Sequence, residues 1–89
     1  MQSGVIEVES ELISVAQEKR RLEEQIVEFR QRIRSGETWL KRNMPATLDY
    51  QQTLEEVLVL EAYVEDLQAQ AVCLDEVLLE LTREREQGL

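Results

Sequence analysis

The chain has 89 residues and a mass of 10.4 kDa, which is room for one domain around one core. Nineteen Asp and Glu against ten Lys and Arg give a formal charge of −9, and apolar residues reach 43% with aromatics at only 4%. No His and a single Cys remove imidazole acid–base chemistry, Ser-His-Asp and Cys-His nucleophiles, His metal ligands, an internal disulfide and a Cys-rich zinc site.

Three Gly and one Pro supply too little turn chemistry for a many-stranded sheet. The acidic balance argues against sequence-independent DNA binding. The sequence shows no apolar run near the roughly 18 residues a membrane span needs, and residues 1–20 lack a basic start followed by an apolar stretch. The expectation is a soluble, cytoplasmic protein with neither cofactor nor metal.

Residues 5–34 contain no Gly or Pro and read as the first helix, with bounds of about 4–34. With Val5 as heptad position a, the a and d positions are Val5, Val8, Leu12, Val15, Lys19, Leu22, Ile26, Phe29 and Ile33; eight of these nine are apolar. A 3.5-residue apolar period held over several heptads is the requirement for a left-handed coiled-coil seam.

A connector follows at about residues 35–48, with space for a short helix. It holds Gly36, the single Pro45 and the single Trp39. Trp39, Leu40 and Met44 lie here between Arg30, Arg32 and Arg34 on one side and Lys41 and Arg42 on the other. Trp and Arg are enriched in binding hot spots, so a docking knob at the hairpin tip is one reading. A Trp39 that folds back to cap the apolar end of the bundle is the other.

The second helix is expected over about 49–87. Asp49 followed by Gln52 fits a capping box, and Gly88 stands where a helix-ending glycine belongs. Its a and d positions, with Val57 as a, are Val57, Leu60, Val64, Leu67, Ala71, Leu74, Leu78 and Leu81; all eight are apolar. Charge is divided unevenly. Residues 1–42 carry eight acids and eight bases, whereas residues 43–82 carry nine acids and no base. Glu61 with Glu65, and Glu76 with Glu80, are like-charge i,i+4 pairs that oppose the helix.

The two seams match as an antiparallel pair, in which an a residue faces a d residue and facing residue numbers share a constant total. A total of 86 pairs Phe29 with Val57, Ile26 with Leu60 and Lys19 with Leu67, and sets Arg32 near Glu56. A total of 93 also keeps a opposite d, carries helix 1 through Leu40 and leaves a turn of about residues 43–47. Gly36 at a would-be core position favours 86, but both registers remain open. Either way the fold class is all-α, an antiparallel helical hairpin with arms of about 45–55 Å at 1.5 Å per residue.

Apolar residues overflow the seam. Ile6, Ile13, Ala16 and Val27 form a side stripe on helix 1, and Leu54, Leu58, Tyr63, Val72, Val77 and Leu79 flank the seam of helix 2. Stripes this wide belong to bundles of more than two helices. The expectation is therefore a partner, either a second copy completing a four-helix bundle or a different protein.

The remaining residues of interest have plainer readings beside the functional ones. Lys19 on the seam would set register, or would lay its stem along Leu67 and carry its ammonium out to Glu23 or to an acid of helix 2. The basic stretch 30–42 matches no nucleic-acid module, and charge pairing within the chain is the simpler role. Carboxylate-bridged di-iron bundles need Glu-x-x-His on two helices, and this chain has no His. Cys73 has Asp75 and Glu76 close by, and negative neighbours disfavour a reactive thiolate.

A seam of apolar heptads offers no convergent polar cleft, so the chain is expected not to be an enzyme. The leading reading is a coiled-coil protein–protein interaction module: a scaffold, an adaptor or a small subunit of a larger assembly. A small acidic chaperone or co-chaperone that shields a helical client is the alternative. In size and helix–turn–helix layout alone, the chain resembles the helical-hairpin co-chaperones of type III secretion needle subunits. An acidic inhibitor that occupies a nucleic-acid-binding surface is the third.

Overall fold

A computed structural model describes residues 2–88, with side chains from residue 7 onward. Val5 and Ile6, which the sequence puts on the seam and its flank, lie outside the described side chains. Two helices, α1 (Gln2–Arg42) and α2 (Leu48–Gln87), fold back on one another as an antiparallel hairpin, and the described residues contain no strand. The Cα trace is 67 Å long and 14 Å in each other direction.

The core is a single seam. Leu22, Ile26, Val64 and Leu67 are buried together, with Phe29, Ile33, Ala71 and Leu74 packed against them. Val57 and Leu81 are buried nearer the two ends, and all six buried apolar side chains occupy a or d positions. Two apposed stripes can bury little more than this, and among the described residues no side chain falls below 2% exposure.

The first helix does not stop at residue 34. It continues to Arg42, so Gly36, Trp39 and Leu40 belong to α1, and the expected 35–48 connector shrinks to residues 43–47. The register explains why. A Cβ placed on Gly36 would stand 2.5 Å from Cγ2 of Val57 and 3.9 Å from Cγ2 of Thr53. Gly36 and Val57 total 93, and the Phe29–Tyr63 and Lys19–Asp75 crossings fall within one residue of that total. The shift from 86 reverses the weight placed on Gly36, because the missing side chain is the space that Val57 fills. A mid-helix glycine costs about 1 kcal/mol relative to alanine, and the burial of Val57 against it offsets that cost.

The ends of the connector are closed by side chains. Asn43 Nδ2 donates to the Trp39 carbonyl at 2.7 Å, satisfying one of the last orphan acceptors of α1, and Lys41 and Arg42 complement the negative end of its dipole. Pro45 cannot donate a backbone hydrogen bond, and it keeps the preceding residue out of helical geometry. Thr47, not Asp49, is the N-cap of α2. Its backbone is extended (φ −88°, ψ 151°) and its Oγ1 accepts from the Tyr50 amide at 3.2 Å. Asp49 falls in the first turn, where its charge faces the positive end of the dipole. Gly88 caps the far end in a right-handed conformation, donating its amide to the Glu84 carbonyl at 2.9 Å.

Candidate protein-interaction surface

With a and d in the seam, a step of 100° per residue sends positions e and b to one flank of each helix and g and c to the other. In an antiparallel pair the e positions of both helices share one side of the hairpin, and the g positions share the opposite side. The contacts agree. Lys19 reaches Asp75, an e residue, on the first side. On the second side, Glu18 lines a shallow groove with Gln70, and Arg32 and Trp39 line another with Glu56; all five are g residues.

The first side gathers most of the overflow. It carries Ile13 and Val27 of α1 at 60% and 57% exposure, and Leu58, Val72 and Leu79 of α2 at 55–57%. Leu54 is partly covered at 39%, and Ala16 lies exposed beside them. Ile13 and Val27 on α1, and Leu58, Val72 and Leu79 on α2, stand seven or fourteen residues from the next, which is about 10 or 20 Å along the axis. Ile6 belongs to the same row by spacing, outside the described side chains.

Tyr63 and Val77 do not join this set. They are g residues on the second side. There Tyr63 meets Phe29 edge-on, with ring centroids 5.2 Å apart and planes at 86°, and the Arg32 guanidinium lies 5.6 Å from the centroid of the Phe29 ring. Tyr63 thus commits part of its ring to an internal aromatic pair.

The three tip residues also separate. Leu40 is half-buried at a seam position. Trp39 is 36% exposed, in an open groove it shares with Gly36, Thr53 and Val57. Met44 stands 76% exposed in the connector. Two exposed apolar residues went unflagged in the sequence, Leu48 and Val59, each at 68%. Val59 follows Leu58 in the chain but sits at position c, which heptad geometry puts at the outer edge of the second side.

Charge pairing within the chain is sparse. Among the described residues, one ion pair crosses the hairpin: Lys19 Nζ meets Asp75 Oδ1, and the same ammonium lies 3.5 Å from Glu23 Oε1. Lys19 therefore reaches out to acids as expected, but from the level of Leu74 rather than Leu67. Its hydrogen bond to Asp75 holds its pKa above the ordinary lysine value against the opposing effect of desolvation, and the charges of Asp75 and Glu23 add to the rise. Arg32 does not reach Glu56. It pairs with Glu28 on its own helix at 3.1 Å. Arg20, Arg30 and Arg34, and the α2 acids Glu61, Glu65, Glu76 and Glu80, have no oppositely charged partner within 4.0 Å among the described residues.

The described residues contain no group of three or more carboxylates or thiols placed to hold a metal ion, and no helix long and apolar enough to cross a membrane. Cys73 is an exposed free thiol. Comparison with protein-family models, with curated proteins and with solved structures returned no match to this chain.

Proposed function

We propose that the chain is a non-enzymatic interaction module, a helical hairpin that serves as a scaffold, adaptor or small subunit of a larger assembly. One observation carries this reading. Ile13, Val27, Leu58, Val72 and Leu79 share one side of the hairpin and are all more than half exposed. Fully burying a side chain of this size contributes roughly 1.5–3 kcal/mol, so a partner that covers several of them gains enough to stay bound. Apolar flanks aligned on one face, rather than scattered singly, mark a surface that is covered in use. A lone exposed thiol fits a reducing compartment such as the cytoplasm.

Photocrosslinking tests the reading directly. A photoreactive side chain at Val72 should capture protein in cells, either a second copy or another chain. The same group at Gln17, a position on the far side of α1 from the seam, should capture little. Equal and low yields at the two positions would remove the docking role.

A further inference from the structure

We infer that the surface bearing Ile13, Val27, Leu58, Val72 and Leu79 is covered by the same surface of a second copy, with both connectors at one end, so that α1 of each copy lies along α2 of the other. This rests on the docking role proposed above and names the partner.

Area points first to a missing neighbour. A compact 10.4 kDa monomer exposes about 5,400 Å² from the scaling of surface with mass. This hairpin exposes 7097 Å². The surplus is about 1,700 Å² on that scaling, against the about 800 Å² that each partner buries in a standard interface.

Charge then selects the occupant and its direction. Shallow grooves on either side of Val27 are lined by Arg20, Glu23 and Glu24, and by Arg30, Gln31 and Arg34. The same side of α2 carries Glu61 and Glu65. Neither the three arginines nor these two acids meet an opposite charge within 4.0 Å in their own chain, among the described residues. Stacking hairpins with connectors at opposite ends would lay α2 on α2, and over residues 43–82 the side of α2 that meets there carries Glu61, Glu65 and Asp75 and no base. Stacking with connectors together lays α1 on α2.

Levels along the bundle follow from the register. Because facing residues total 93, Arg30 comes level with residue 63 of the partner's α2, between its Glu61 and Glu65, and Ile13 comes within one residue of the level of the partner's Leu79. A two-fold axis along the bundle makes both contacts twice. The complementarity that the hairpin leaves unused within itself is thereby used between copies.

The test is light scattering after size exclusion, run over a concentration series on the full chain and two charge-reversed forms. The wild type should elute at twice 10.4 kDa. Arg30→Glu with Arg34→Glu, and separately Glu61→Lys with Glu65→Lys, should each weaken dimerisation at least tenfold, with helicity by circular dichroism confirming that each form is folded. An equimolar mixture of the two forms should recover the dimer, because each reversed α1 then meets a reversed α2. A wild type that stays monomeric throughout, or a mixture that associates no better than its components, overturns the inference. A monomer that still gives Val72 crosslinks to a different protein would leave the docking role standing and remove only the second copy.

Discussion

Gly36 and Val57 fit one another as a space and its filler: a Cβ on Gly36 would stand 2.5 Å from a Val57 methyl, and Val57 is one of the most buried residues in the chain. Alanine at position 36 would improve helix propensity by about 1 kcal/mol in isolation. Overpacking a seam costs about 1–3 kcal/mol. The collision involves Cβ against a β-branched side chain, which in a helix strongly prefers one χ1 rotamer. Gly36→Ala should therefore lower stability, by about 1 kcal/mol net, or about 4–8 °C in Tm for a domain of this size. Val57→Ala alone should also destabilise by opening a cavity. The double variant should lose less than the two single losses combined, and additive losses in a thermal-melt cycle would show that the two side chains are not in contact.

Thr47 caps α2 through its hydroxyl, while Asp49 acts on the same helix end only through its charge. Removing a capping hydroxyl costs about 1 kcal/mol, whereas a first-turn acid that acts only through the dipole contributes about 0.3–1 kcal/mol at low salt. Thr47→Ala should lower Tm more than Asp49→Ala. The Asp49→Ala effect should shrink in high salt while the Thr47→Ala effect persists, because the dipole contribution is screened and the capping hydrogen bond is not. Paired melts at low and high ionic strength check both statements.

The seam was legible because burial imposes a period, and the a and d positions on each helix satisfy it almost without exception. The register was not, for a reason built into the heptad. Totals of 86 and 93 differ by one repeat, and a one-repeat slip leaves every a opposite a d. What separates them is shape at one place, the Gly36 space that admits Val57, together with a five-residue connector that lets α1 run on to Arg42. Position counting alone treats Gly36 as a core fault. The candidate surface was half legible. The overflow residues stand out from composition, but pooling them hid that Tyr63 and Val77 face away from Leu58 and Val72. The same geometry that pairs e with e in an antiparallel hairpin separates the two sets.

Trp39 sits in a groove floored by Gly36, between the seam and solvent, with 36% of its surface exposed. Its emission should fall between the maximum of a buried indole and that of a water-exposed one. Thr53→Ala, which strips one wall of that groove, should shift the emission to the red with little change in helicity. A spectrum already at the water limit in the wild type would place the indole out of the groove and restore the docking-knob reading of the tip.

Lys19 is the one charged residue among the α1 seam positions from Val8 to Leu40, and it is held by Asp75 from across the hairpin and by Glu23 from its own helix. Its side chain starts from a seam position and is 28% exposed, while its ammonium reaches the acids. A partly exposed ion pair contributes little, whereas a leucine at the same position would extend the apolar run between Val15 and Leu22. Lys19→Leu should raise Tm by a few degrees at neutral pH; a lower Tm would mean that the Asp75 pair outweighs the apolar gain. The pH dependence has a definite sign. A lysine whose pKa is raised by folding stabilises the folded state fully below its unfolded value of about 10.4, and that contribution is lost as pH rises through the folded value. The advantage of Lys19→Leu over the wild type should therefore be smallest near neutrality and widen above about pH 10.4, as the wild type alone loses its bond to Asp75. Parallel melts of the two proteins across the alkaline range isolate that difference.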